Sequence, residues 1–316
     1  MSTSAKKEAI LKQFRSITNA TPQDAHRILK AHSYRLEPAT NAFFSDTQAQ
    51  LNAAAAAAAS SSSSSSSRAL DKKAEKELKD RLNALFDDFA DEDDRDKITI
   101  DGALQMCEAL QVSPEDVVFL PLSFYLKSPS IGTFTREDYV NGWKILDQSD
   151  DLEKQQRTLQ RLRQELYDNK PIRLERAAEE KSNPNAKRLY ERVYEYTYGF
   201  ARREGQKSLA LENAIAFWDL VLPASPTFQR DGSTGTFTRK QLEMWKKFLV
   251  DETGNRAVSK DTWTQFLDFT KEINHDFSNH DFDAAWPSVI DDFVVWAKEN
   301  GPTFVLPDSA DGMDTS

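Results

Sequence analysis

The chain has a single cysteine in 316 residues, Cys107, so no intrachain disulfide can form and a reducing compartment is expected. Its four histidines make no metal constellation: His26 and His32 fall near the N-terminus, and His275 and His280 lack a cysteine or histidine set to complete a site. Glycines number ten, and none builds a phosphate loop: in Gly205-Gln206-Lys207-Ser208 a Gln separates the Gly from the Lys, and no Gly stands five residues before Gly205. There is no Gly-x-Ser-x-Gly turn for a nucleophile. No apolar run approaches the roughly 20 residues that a membrane span requires. The opening MSTSAKKEA has no apolar signal core, and Ser2 stands where N-myristoylation needs Gly. These absences point to cytoplasm and nucleus and away from a membrane partner.

Charge is present and unevenly placed. Residues 271–316 carry ten acidic side chains against Lys271 and Lys298, a net −8 of the chain's −10, while residues 1–52 hold seven basic against four acidic residues. An acidic C-terminal face attracts a basic protein surface and repels nucleic acid, which is therefore not an expected partner.

Residues 53–67 are seven alanines and eight serines, which cannot build a core, and they read as a flexible spacer. Before it, Ile10, Leu11, Phe14 and Ile17 fall at helical spacing. Thr21-Pro22-Gln23-Asp24 then has the form of a helix start, Ala25, Ile28 and Leu29 follow, and Ala42-Phe43-Phe44 makes a third apolar cluster. Three short helices in this length have the anatomy of a ubiquitin-associated-type domain. Beyond residue 70 helical periodicity dominates, with stripes at Leu189, Val193, Tyr196 and Phe200 and at Leu242, Trp245 and Leu249. Residues 209–222 are apolar on almost every face, which predicts a central helix packed on several sides. The expected organisation is a bundle over 5–52, a linker over 53–69, a larger helical domain over 70–304 and an acidic disordered tail over 305–316.

Two late helices place acids opposite a buried stripe. Ser259-Lys260-Asp261-Thr262-Trp263 opens one, with Trp263, Phe266, Leu267, Thr270 and Ile273 inward and Asp261 outward; Pro287 opens the other, with Ile290, Phe293, Val294 and Ala297 inward and Asp291, Asp292 and Lys298 pointing the other way.

A repeat is also visible: Gly132-Thr133-Phe134-Thr135-Arg136 leads to Trp143, and Gly235-Thr236-Phe237-Thr238-Arg239 leads to Trp245. Gly at position six and an apolar residue at position eight are what an EF-hand loop needs for its turn and its small strand. The ligand positions do not follow. Around Phe134 they are Lys127, Pro129, Ile131 and Asp138; around Phe237, Arg230, Gly232, Thr234 and Gln241. Loops centred on Ile98 and Val258 offer Asp91 and Asp93 with Gly102 at position twelve, and Asp251, Thr253, Asn255 and Thr262. Calcium takes six to eight oxygens, so the expected domain is EF-hand-like without metal sites, and no cofactor is expected. A calcium sensor or a general helical adaptor is the alternative reading.

Nothing in the sequence reads as catalysis. Cys107 sits on a helix as a small core residue, and Asp291 and Asp292, about 100° apart around a helix, cannot flank one bond as acid and base. His275, Asp276, His280, Asp281 and Asp283 read as a polar helix-to-helix connection or, alternatively, a metal site.

An ordered set of motifs gives the chain a specific resemblance. Phe200-Ala201, Gly205-Gln206-Lys207, Leu209-x-Leu211-Glu212-x-Ala214-Ile215-Ala216-x-Trp218, Trp245-x-x-Phe248-Leu249, Lys260-Asp261-Thr262-Trp263 and Ala285-Trp286-Pro287-x-x-Ile290-Asp291-Asp292-Phe293 together resemble the potentiating-neddylation domain of the defective-in-cullin-neddylation family, over roughly residues 75–300. The resemblance implies an all-α fold and a non-catalytic co-ligase scaffold. Its implied partners are a cullin C-terminal domain, the conjugating enzyme of the neddylation pathway with its acetylated N-terminus, and a cullin-associated RING protein. It places the cullin-binding patch on Asp261, Ala285 and Asp291. It places the pocket for the acetylated N-terminal Met on Ala103, Phe119, Leu122, Ile131, Phe134, Phe200, Phe217 and Leu220. The N-terminal module fits the family's ubiquitin-associated-like domain, which adds ubiquitin or the ubiquitin-like modifier as an expected partner, although it has no Met-Gly-Phe type loop.

Overall fold

A computed structural model describes residues 3–173, 187–229 and 236–307, with only the backbone described for 3–6 and 54–71. The chain divides into two units, Met1–Glu77 and Leu78–Ser316.

In the first unit, α1 (Thr3–Thr18), α2 (Pro22–Ala31) and α3 (Leu36–Ser45) form the expected three helices, joined by the start of α4 (Thr47–Asp87). Thr21 caps α2, its side chain accepting from the Asp24 N–H, with Pro22 in the first turn where its missing N–H costs nothing. Phe14, Ile28, Leu29, Ala39 and Phe43 make the core, closed by Ala49 and Ala53 of α4. Of the Phe43-Phe44 pair only Phe43 is buried; Phe44 is 57% exposed. Residues 53–69, read from composition as a spacer, are helical and belong to α4. Alanine has the highest helix propensity, and helix propagates cheaply from the flanking turns. The expected 305–316 tail falls, from residue 308 on, outside the described residues.

The second unit has α5 (Ile100–Ala109), α6 (Phe119–Tyr125), α7 (Arg136–Ile145), α8 (Leu152–Tyr167), α9 (Leu189–Ala201), α10 (Leu211–Val221), α11 (Arg239–Glu252), α12 (Lys260–Glu272) and α13 (Ser288–Asn300). Among the described residues its sheet is one antiparallel pair, β1 (Lys97–Ile98) with β2 (Phe134–Thr135), in the register Ile98 opposite Phe134. This joins the loops centred on Ile98 and Phe134 as an EF-hand pair would. The carboxylates of the first loop are engaged by the protein itself. Asp91 accepts from the Thr99 hydroxyl (2.9 Å) and from the backbone N–H groups of Asp93 and Asp94, which holds its carboxyl below the usual range. Position twelve is closed by backbone: a Cβ on Gly102 would stand 2.0 Å from the Phe89 carbonyl oxygen.

The other two loops read from the sequence, centred on Phe237 and Val258, each pair elsewhere. Val258 bridges Leu209, not Phe237, and Phe237 bridges Phe228. The second EF-hand-like pair is thus α9–α10 with α11–α12, its first loop running through Gly205 at φ +77°. The ligand positions Arg230, Gly232 and Thr234 lie outside the described residues.

The core of this unit is aromatic. Trp218 stacks on Trp263 (5.1 Å between centroids) and Trp245 on Phe266 (4.3 Å). Tyr194 ties the layers together: its hydroxyl donates to the Trp263 carbonyl and accepts from the Trp218 indole N–H, both at 2.9 Å. Two indole N–H groups, those of Trp143 and Trp245, find no acceptor among the described residues.

Candidate functional site

Two surfaces of the second unit hold the residues of interest. The first is an apolar cleft of about 590 Å³. α5 supplies Ala103 and Cys107, α6 supplies Phe119, the β-pair loop supplies Ile131 and Phe134, α9 supplies Phe200, and α10 supplies Phe217 and Leu220. Seven of the eight expected pocket positions therefore line one space. The exception is Leu122, which is fully buried in the core and does not reach the cleft. In α6 the residues two before and one after it, Leu120 and Ser123, line the cleft instead, because the two-turn helix points Leu122 inward.

The cleft exists because α10 has two apolar faces with different duties. Leu211, Ala214, Trp218 and Val221 are buried, whereas Phe217 and Leu220 are half-buried and face the opening. The helix expected to be packed all round is thus packed on one side and leaves the other as a wall. Phe200 meets Phe217 edge-to-face at 6.1 Å and stacks on Tyr196, whose hydroxyl donates to the Ser128 carbonyl at 2.6 Å. That bond pins the Ser128–Thr133 turn, where Gly132 adopts φ +71° and Ile131 stands 50% exposed over the cleft. A Cβ on Gly132 would stand 2.9 Å from Ile100, so the close approach also requires glycine.

Polar groups in the cleft are few. Glu115, Ser123 and Asp219 contribute, and Asp219 is paired with Lys246 at 2.7 Å. Cys107, expected as a core residue, is buried yet forms part of the wall. Burial pushes its thiol up to about 11, so it is protonated and unreactive at neutral pH. The arrangement suits an apolar, uncharged group rather than acid–base chemistry.

The second surface lies where α12 and α13 begin. Asp261 is exposed in the first turn of α12, which Ser259 caps by accepting from the Thr262 N–H. Trp263, buried beneath it, fixes the register, and Gln265 donates to the Asp261 carboxylate at 3.1 Å. A groove of about 810 Å³ beside it is lined by Glu252, Asp261, Asp292, Val295, Trp296 and Glu299 among others, with Arg256 its basic member. Ala285 is exposed on the turn before α13.

Asp291 departs from expectation. It is 29% exposed rather than free, and its Oδ1 lies 2.8 Å from Nε2 of His280. Successive helical residues turn by about 100°, which puts Asp291 at the flank of the Ile290/Phe293/Val294/Ala297 stripe and Asp292 nearly opposite it. Asp292 is the exposed one and shares the groove with Asp261; Asp291 does not line it. His280, read from sequence as part of a polar connection, is the residue that sequence reasoning passed over. Its spacing to Asp291 crosses a non-helical turn, so periodicity carries no signal for it. No group of His, Cys, Asp and Glu able to hold a metal is found among the described residues.

Comparison with known proteins follows this geometry. A family model described as cullin binding matches residues 154–296, and one described as a UBA-like domain matches residues 8–50. The protein "Defective in cullin neddylation protein 1" of Mycosarcoma maydis is 67% identical over all of both chains. The chain belongs to the defective-in-cullin-neddylation family. Family relatives of the same name include one from Candida albicans, 33% identical over 71% of this chain and 80% of its own, and one from Cryptococcus neoformans, 29% identical over 94% and 95%. Asp261, Ala285 and Asp291, and the cleft residues Phe200, Phe217 and Leu220, fall within the segment matched by the cullin-binding family model; the cleft's other wall, from Ala103 to Phe134, lies before it.

Proposed function

We propose that this chain is a non-catalytic co-ligase scaffold for cullin neddylation. One surface, around Asp261, Ala285 and Asp291, takes a cullin C-terminal domain, and the apolar cleft takes the acetylated N-terminal Met of the conjugating enzyme. The modifier then passes to a cullin lysine with a cullin-associated RING protein. The observation that carries the reading is the convergence of seven separately placed residues on one uncharged cleft, in a chain similar along its whole length to a protein named for cullin neddylation. Holding donor and acceptor on one body raises their effective concentration, which accelerates transfer without an acid, base or nucleophile of the scaffold's own. The surface acids steer a basic partner, and the small Ala285 permits close approach. Cytoplasm and nucleus are the compartments in which this role would be exercised. The N-terminal bundle supplies a further binding module, for ubiquitin or the ubiquitin-like modifier.

Titration calorimetry with a purified cullin C-terminal domain tests the acidic surface. Asp261→Lys, exposed and opposite the buried stripe, should abolish binding while leaving helicity and melting temperature intact, and Ala285→Arg should act alike by steric block. Near-native affinity in Asp261→Lys would remove this surface from the reading.

A further inference from the structure

We propose that His280 is a positioning residue for the surface just described: its buried imidazole fixes both the Asp291 carboxylate and the Trp286 turn that carries Ala285. The inference rests on the cullin-facing reading of that surface. The His280 side chain is 1% exposed, and Nε2 lies 2.8 Å from Asp291 Oδ1. The ring sits in an aromatic box, edge-on to Phe269 at 5.8 Å and to Phe282 at 4.7 Å, and tilted against Trp286 at 6.0 Å.

This position does two things at once. Toward α13, the imidazole engages one carboxylate oxygen of Asp291, while Oδ2 has no hydrogen bond among the described residues and stays available to a basic group of a partner. Toward the turn, the ring braces Trp286, whose N–H donates to the Ala284 carbonyl at 2.9 Å; the Asp283 N–H caps the same turn by donating to Asp281 Oδ1. Ala285 is thereby presented at the exposed apex. Asp261 is held independently, by Gln265 on its own helix. A carboxylate and a turn already fixed lose less freedom on docking, so the imidazole acts on affinity without touching the partner. An aliphatic residue fills the box but offers no N–H; glutamine offers an amide N–H at about the reach of Nε2.

The test is a set of variants measured two ways. Against a purified cullin C-terminal domain, His280→Leu should weaken binding about tenfold, the scale on which a hydrogen bond to a charged group contributes. His280→Gln should recover most of that loss, and His280→Leu combined with Asp291→Asn should bind no worse than Asp291→Asn alone. The same cycle read as melting temperature, with no partner present, should show non-additivity between the two positions. Equal weakening by Leu and Gln, or additive losses in both readouts, overturns the proposal. Undiminished binding by Asp291→Lys would instead remove the cullin-facing reading, while the melting-temperature cycle still reports whether His280 holds Asp291.

Discussion

If the cleft takes an acetylated N-terminal Met, a free α-amine on the same peptide should bind about a hundredfold worse. The lining is nearly all hydrocarbon, and of its two carboxylates Asp219 is already committed to Lys246 at 2.7 Å, while Glu115 is exposed to solvent, where its charge is screened. An ammonium seated there loses hydration without a dedicated partner, and an uncompensated polar or charged group costs several kcal/mol. The cleft is open to water on one side, so ~2.7 kcal/mol is the fitting scale, and each 1.4 kcal/mol is tenfold. Acetylation removes the charge and leaves one amide to be hydrogen-bonded. Fluorescence polarisation with two labelled peptides of the conjugating enzyme's N-terminus, acetylated and free, reads the difference directly. Leu220→Arg should erase binding of the acetylated form without changing affinity for a cullin domain. Equal affinity for the two peptides, or an effect of Leu220→Arg on cullin binding alone, would refute the assignment of the cleft.

Two further outcomes follow from the loops. Gly102→Ala should destabilise the second unit by about 3 kcal/mol in urea unfolding, because its Cβ would meet the Phe89 carbonyl at 2.0 Å and overpacking against rigid backbone costs on this scale; an unchanged midpoint would show that the loop relaxes freely. Calcium at millimolar concentration should give no saturable heat and no chelator-reversible shift in melting temperature, since Asp91 is spent on Thr99 and backbone N–H groups and position twelve has no side chain. A saturable, chelator-sensitive shift would revive the calcium-sensor alternative.

Much of this was legible in the residues. The Trp263 stripe set the register of α12 and put Asp261 outward, and the Gly132 and Phe134 spacing marked the β-pair that forms one wall of the cleft. The near-continuous apolarity of residues 209–222 did signal an unusual helix, but pattern alone could not say that its second face borders a cleft rather than core. What the residues alone did not show, whether read by periodicity or, for Leu122, by resemblance, has a common cause: each case turns on contacts between distant segments. Leu122 is buried because of what packs on α6, Val258 pairs with Leu209 because four loops choose partners in space, and Asp291 meets His280 across an irregular turn. The Ala/Ser stretch fails differently, because composition that cannot build a core still propagates a helix begun on either side.

The central claim is that one chain bridges donor and acceptor through two separate surfaces, and a complementation assay of modifier transfer tests it most directly. Reconstituted transfer to a cullin should be stimulated by the native chain, with stimulation lost in Asp261→Lys, which keeps the cleft, and in Leu220→Arg, which keeps the acidic surface. A mixture of the two variants should remain inactive, because proximity requires both surfaces on one body, and native protein in large excess should inhibit by occupying each partner separately. Restored transfer in the mixture would contradict the account, since it would mean that the two surfaces act without being joined.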